Sequence, residues 1–298
     1  HGGKLLNKKG ERFMQRYQPE RLELAGRDEV ARAIYQEIQE GRGTKHKGVY
    51  LDVTHWKKGD GEKLIPEVFQ THLQVGIDIR REKMEIAPSM HHMMGGFKIN
   101  EWGETSVAGL FACGEVTASI HGANRLGGNS LAEGQVFGRR TGIKSAQFAK
   151  AHALPDNLDS SMAQTIELEI RRIEQLKKKS GVNPSMLTKN LKKLMWDYAG
   201  IIRDEKGLRK GLSQLETLQK VSSYKLTVRS EHELQAALEL LEMLKVAEMI
   251  FVAALAREET RGAHYRSDHP KMDEEWEKNI VLQKKNSKIT TTLTPVIK

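Results

Sequence analysis

The stretch HGANRLGGNSLAEGQ, His121 to Gln135, sets a histidine, an arginine, two adjacent glycines and an Asn-Ser pair just ahead of a helical pattern. Glycine has no Cβ, so Gly127-Gly128 lets the backbone come close to a flat ligand. Asn129-Ser130 can cap the helix that follows. The N-terminus of that helix carries free N–H groups and a partial positive charge, which suits an anion. Arg125 is a planar, bidentate donor and the best single side chain for a carboxylate.

The segments just upstream extend this pattern. In GLFACGE, Leu110, Phe111 and Ala112 predict a buried strand, and Gly114-Glu115 stands where it ends. Ligands of open α/β sheets bind outside the carboxyl ends of strands, where an acidic residue commonly takes sugar hydroxyls. In PSMHHMMGG, His91 is a second potential donor, and Gly95-Gly96 again signals close backbone approach. His92 is expected to pack at the surface or in a turn.

Further out, three textures follow one another. In residues 1–88, Leu5-Leu6 before NKKG read as a strand entering a turn. RDEVARAIYQEIQEGRG aligns Val30, Ala33, Ile34 and Ile38 on one helical face that ends at Gly41. GVYLDVTHW alternates as a strand, and EKLIPEVFQTHLQVG puts Ile65, Val68, Phe69 and Leu73 on one side of a second helix. Residues 89–152 are glycine-rich, with strand-like HHMMGGFKIN and GLFACGE, then a helix expected to bury Leu131, Val136, Phe137 and Ile143.

Residues 153–298 are mostly helical. DNLDSSMAQTIELEIRRIEQLKKKSG opens on an Asp/Ser cap cluster and closes at Gly181. A second stretch from Asn183 is interrupted near Gly207. A third starts with Ser230 and Glu233 in capping-box spacing. Together they predict a three-helix bundle, with NIVLQ and TTLTPVIK as edge strands of the tail.

Composition narrows the function classes. The net charge is +9, from 48 basic and 39 acidic residues, but the basic residues are dispersed over amphipathic helices. With no nucleic-acid motif present, solvated helix faces explain the charge, and no nucleic-acid partner is expected. One cysteine, Cys113, excludes an internal disulfide framework and a Cys-rich metal or cluster site in this chain. A reducing, cytoplasmic compartment is the simplest inference. No run of about 18 apolar residues is present, so no transmembrane helix is expected. The chain begins at His1 in a phrase that reads like the middle of a protein.

HGANRLGGNSL, preceded by GLFACGE and HHMMGG, resembles the flavoprotein subunit of succinate dehydrogenase and fumarate reductase. GERFMQRYQPERLELAGRDEVARAI and ETRGAHYRSDHPKMDEEWEKNIV match that family at the two ends. L-aspartate oxidase shares HGANR, but LGGNSL favours the succinate/fumarate branch. The resemblance implies an α/β plus α fold. Residues 1–88 would be the rest of a capping domain, 89–152 the returning segment of a split, Rossmann-like FAD-binding domain, and 153–298 a helical domain and tail.

The resemblance also implies roles. Arg27 matches the proton donor or acceptor, His91 and Arg125 the groups that hold substrate carboxylates, Glu115 an FAD-binding acid, and Ser130-Leu131 the pair contacting the flavin. Succinate and fumarate are the implied substrates. The implied partners are an iron–sulfur subunit, together with a membrane anchor subunit, which would make membrane association peripheral. The family's N-terminal GxGxxG is absent, so the chain is expected to be the C-terminal part of a larger protein. Two alternatives remain open: an L-aspartate oxidase-like flavoenzyme and a non-catalytic helical interaction module.

Overall fold

The computed structural model describes residues 2–118, 120–152, 160–176, 181–286 and 288–296. It divides into two compact units, His1–His91 and His92–Lys298.

The first unit is built on a three-stranded antiparallel sheet in the order β1-β2-β3, with β1 Lys4–Leu6, β2 Val49–Asp52 and β3 Met84–Ile86. Lys4 pairs with Asp52, and Val49 with Ile86. Between the strands lie the short α1 (Met14–Tyr17), α2 (Arg27–Gln39), α3 (Asp60–Leu64) and α4 (Pro66–Gln74). The expected face of α2 packs as its spacing predicts: Ala33 and Ile34 are buried with Leu5, Phe13 and Val49, and Val30 and Ile38 lean on that cluster.

The second expected helix is two. Proline lacks the N–H that a helix interior needs and is favoured at the first helical position. Pro66 accordingly starts α4 after α3 has ended, with Ile65 at the break. Phe69 is buried against Val53, Ile79 and Met84, whereas Val68 and Leu73 are exposed rather than part of the core.

In the second unit, residues 92–128 run as turns and isolated bridges rather than named strands. Phe97 pairs in parallel with Thr117, and Glu104 pairs antiparallel with Phe111. The strand expected at 110–112 is therefore a single bridge, with Leu110 exposed. The turn at 100–112 rests on α5 (Asn129–Ala151). A Cβ on Gly103 would come within 2.0 Å of Thr141 Oγ1, and the Phe111 and Phe148 rings meet edge to face at 5.8 Å. α5 does not bury the apolar residues expected of it: Leu131, Val136 and Ile143 are exposed, while Glu133 and Thr141 are buried. A stripe's spacing says which residues share a face, not whether anything covers that face.

The helical region holds α6 (Ser160–Leu176), α7 (Pro184–Ala199), α8 (Glu205–Lys225) and α9 (Glu231–Ala256). The acidic part of the cap cluster expected before α6 lies outside the described residues. The second expected helix is broken between Gly200 and Asp204, not at Gly207. Asp204 caps α8 by accepting the Gly207 N–H at 2.7 Å, so Gly207 sits inside the first turn. The bundle core comes from α7, α8 and α9, with Leu191, Leu208, Leu215, Leu240 and Phe251 at its centre. At α9, Ser230 accepts the Glu233 N–H at 3.2 Å. Glu233 reaches back to the Arg229 N–H at 2.7 Å, one residue earlier than the usual capping box. The tail closes as a hairpin, β4 Lys278–Lys285 with β5 Lys288–Pro295.

Candidate functional site

In the first unit, Arg27 is the first residue of α2, after the N-cap Gly26. Glu29 reaches back to the Gly26 N–H at 2.8 Å and steadies that start. Two nearby acids have other partners: Asp28 pairs with Arg32 at 2.9 Å and Glu23 with Arg12 at 2.6 Å. The side chain of Arg27 is exposed and lines a shallow cleft with Glu23, Val30, Ala87 and Pro88. His91, the last residue of this unit, is exposed.

In the second unit, Glu115 sits in the 3-10 turn Gly114–Val116. Its carboxylate accepts the Met93 N–H at 2.9 Å and lies 3.5 Å from His92 Nδ1. Residues 93–97 run close along 114–118: the Phe97 N–H donates to Val116 O at 2.8 Å and the Ala118 N–H to Phe97 O at 3.0 Å. Only glycine fits at 96, because a Cβ there would stand 2.1 Å from Val116 O. The close approach read from Gly95-Gly96 is thus to the protein's own backbone at Gly96. Buried Glu133 of α5 accepts the Gly114 N–H at 3.0 Å and fastens this turn to the helix.

Gly128, not Asn129 or Ser130, is the N-cap of α5. It has a left-handed backbone (φ 83°) and makes no side-chain cap bond, so Asn129 and Ser130 are helical residues of the first turn. Ser130 is half-buried and Leu131 is 79% exposed at this helix end. Apart from its chain neighbours, nothing stands within 4 Å of where a Cβ on Gly128 would lie. Arg125 is half-buried, with Nη1 donating to Leu126 O at 3.3 Å.

Two histidines here were not expected to act. The His92 side chain is only 4% exposed, not at the surface, and its ring meets that of His121 edge to face at 5.4 Å. The Nε2 atoms of both rings are buried with no hydrogen-bond partner among the described residues. A buried polar atom without a partner costs free energy, so each is a polar group that the described residues leave unsatisfied. His121 belongs to the quoted motif and His92 lies three residues before a glycine pair, but nothing in sequence separates a buried orphan imidazole from a turn residue.

A loop from the end of the bundle holds this segment from below. The Ala263 N–H donates to Ala123 O at 3.0 Å. The loop is anchored by buried Glu259, which accepts from Arg261 at 2.8 and 3.1 Å and from the Asp273 N–H at 3.0 Å. Burial alone would raise the Glu259 carboxyl, but the hydrogen bonds from Arg261, the Asp273 N–H and Arg257 outweigh it and hold it low. His264 Nδ1 lies 3.0 Å from Arg203 Nη1, and Nε2 lies 3.3 Å from Arg257 O. Burial, with the nearby charge of Arg203, pushes His264 down to about 4, so it stays neutral and bridges the two.

A helix N-terminus, an open glycine cap, an exposed carboxylate and two orphan imidazoles fit a cofactor such as FAD, with anionic and hydroxyl-bearing parts. Residues 1–131 match the family model described as an FAD binding domain. Residues 188–298 match the model of the fumarate reductase flavoprotein C-terminus. Both models describe parts of flavoproteins, the first of them an FAD-binding domain.

The relatives narrow this. A Methanocaldococcus jannaschii protein described as an uncharacterized FAD-dependent oxidoreductase is 47% identical over 285 residues, covering 95% of this chain and 51% of the relative. A subunit of the fumarate reductase (CoM/CoB) of Methanothermobacter marburgensis is 45% identical over 287 residues, covering 95% and 51%. A quinol-fumarate reductase solved with menaquinol superposes with a TM-score of 0.89 at 30% identity, covering 99% of this chain and 55% of that one. The chain belongs to the succinate dehydrogenase/fumarate reductase flavoprotein family, whose cofactor is FAD. It spans about half the length of the curated relatives it matches.

Proposed function

We propose that the protein interconverts succinate and fumarate with FAD, and that this chain supplies carboxylate-binding groups, a proton-transfer group and part of the flavin contact. The observation that carries this reading is a segment that places Arg125 four residues before α5 and, close by in sequence, His92 and His121 with buried, unpartnered Nε2 atoms and Glu115 3.5 Å from His92. Residues 1–88 then serve as the remainder of a capping domain, 89–152 as the returning FAD segment, and 153–298 as the helical domain and tail. The exposed apolar face of α5 suits packing against further parts of an FAD-binding domain.

Glu115, Ser130 and Leu131 would contact FAD: the carboxylate as acceptor for hydroxyls, and the first turn of α5 as a positive dipole end for the flavin. FAD, when bound, supplies hydride transfer to or from one substrate carbon. Arg125 and His91 each donate to a substrate carboxylate. By stabilising the negative charge that builds on the carbon next to the one that takes hydride, they lower the barrier to addition. Arg27 gives its proton to that carbon, forming a C–H bond and leaving a neutral guanidine. A carbanion beside a carboxylate is far more basic than guanidine, so the transfer is downhill although arginine is a very weak acid. In the reverse direction Arg27 acts as the neutral base. In this reading electrons pass to or from an iron–sulfur partner, in keeping with relatives that are themselves named as subunits. A membrane anchor in the complex would make any membrane association peripheral.

Arg27→Ala in the flavin-loaded protein, expressed from its complete gene, tests this. Turnover of succinate and fumarate should vanish while flavin content stays normal. Near-normal turnover would remove Arg27 from the chemistry, and turnover of L-aspartate in its place would reassign the substrate.

A further inference from the structure

We propose that Gly262 is a positioning residue: through the loop 259–266, the C-terminal helical region sets where Arg125 stands. This rests on the carboxylate role proposed for Arg125. Gly262 has a left-handed backbone (φ 57°). A Cβ there would lie 2.5 Å from Ala123 O and 2.9 Å from Asn124 Cβ, closer than real Cβ atoms approach. The neighbouring Ala263 N–H makes its 3.0 Å bond to the same Ala123 O. The loop therefore touches the backbone one and two residues before Arg125, and only a residue without a side chain allows that approach.

Which side would yield follows from how each is held. The loop is fixed several times over. Arg261 N–H and His264 O pair at 2.9 Å, and His264 N–H and Arg261 O at 3.1 Å. Thr260 Oγ1 accepts the Arg266 N–H at 2.9 Å and donates to His269 O at 2.8 Å, and the Thr260 N–H donates to Lys271 O at 3.0 Å. Glu259, fully buried, grips Arg261 with both carboxylate oxygens. Residues 121–128 form no regular element, and Gly122, Ala123's neighbour, is exposed with φ 59°. A side chain at 262 displaces the softer partner, the segment that carries Arg125. A misplacement of about 1 Å in a positioning group can cost ~100-fold in rate.

The experiment measures flavin-loaded wild type, Gly262→Ala, Gly262→Asn, Arg125→Ala and Gly41→Ala, recording steady-state kinetics and titrating malonate against the flavin spectrum. Asparagine tolerates a left-handed backbone but still carries a Cβ, so Gly262→Asn separates the clash from conformational strain. Gly41 has φ 73° with open space around it, so Gly41→Ala reports strain alone. Both Gly262 variants should raise the malonate Kd and the succinate KM at least about tenfold with flavin content unchanged, the KM rising more than kcat falls. Gly41→Ala should lower the Tm and leave both constants alone.

Gly262 variants that merely lose Tm as Gly41→Ala does, while Arg125→Ala loses malonate, would overturn the positioning role and leave the proposed function standing. Malonate binding that survives Arg125→Ala would remove the clamp itself, and the positioning role with it. If the Gly262 variants do not fold, amide exchange on wild type decides. Malonate should slow exchange of the Ala263 N–H in wild type but not in Arg125→Ala, and an unchanged rate in wild type overturns the proposal.

Discussion

The bundle and the glycine-rich segment before it lie in the same compact unit, yet they are held in opposite ways. In the bundle, Leu208, Leu215 and Phe251 are 0% exposed, and α7, α8 and α9 bury one another. In the segment, α5 keeps Leu131 and Val136 at the surface, and residues 92–128 are fixed by backbone hydrogen bonds, glycine approaches and buried Glu133. The bundle has a core of its own. The segment borrows its geometry from neighbours, which is what a ligand-facing stretch needs, because loops on a rigid scaffold carry binding groups more often than cores do.

This contrast can be broken by substitution. The largest loss should come from Phe251→Ala, about 3–5 kcal/mol of unfolding free energy by denaturant titration, because it opens a cavity among three helices. A loss below about 1 kcal/mol would mean that the bundle core is not as packed as it stands here. In this chain alone and without flavin, Leu131→Ala, at 79% exposed, should change stability by less than about 0.5 kcal/mol in the same titration. A larger loss would show that something covers the start of α5 in solution.

Between these lies an acid effect from the loop that supports the segment. His264 is neutral in the fold with a pKa of about 4, below its ordinary 6.5. Above 6.5 it is neutral in both folded and unfolded chains, and its environment carries no proton-linked penalty. As pH falls from 6.5 towards 4, the unfolded chain takes up the proton first, and stability drops by up to about 3 kcal/mol in total. Urea midpoints across that window should show the slope in wild type and lose it in His264→Asn. An identical slope in both would assign it to other groups. The carboxylates Glu259 and Asp268, held low by their arginines, add stability that is fully present above their ordinary 4.5 and 3.8 and is lost only as pH falls through and below those values.

What was legible in the sequence divides along the same line. Amphipathic faces predicted α2 and the bundle helices, and Ser230 with Glu233 marked the start of α9. The breaks before Pro66 and Asp204 were missed where apolar spacing ran on across a capping signal, although proline and aspartate are both start signals in their own right. In the segment, motif spacing marked the start of α5 and raised Arg125 and Glu115 as candidates. It could not show that Gly128 takes the cap, that Gly96 is pressed on Val116, or that His92 and His121 end in buried, unpartnered nitrogens. Those facts depend on residues brought together by turns, and a turn's path is set by contacts that no local period encodes.

The central claim is that the guanidinium of residue 125 takes up a dicarboxylate beside bound flavin. Malonate titrated into flavin-loaded Arg125→Ala, with the visible spectrum as readout, meets it directly. Removing the charged partner should weaken binding by about 2–5 kcal/mol, enough to abolish the spectral change at concentrations that saturate wild type. A wild-type malonate affinity in that variant would contradict the account.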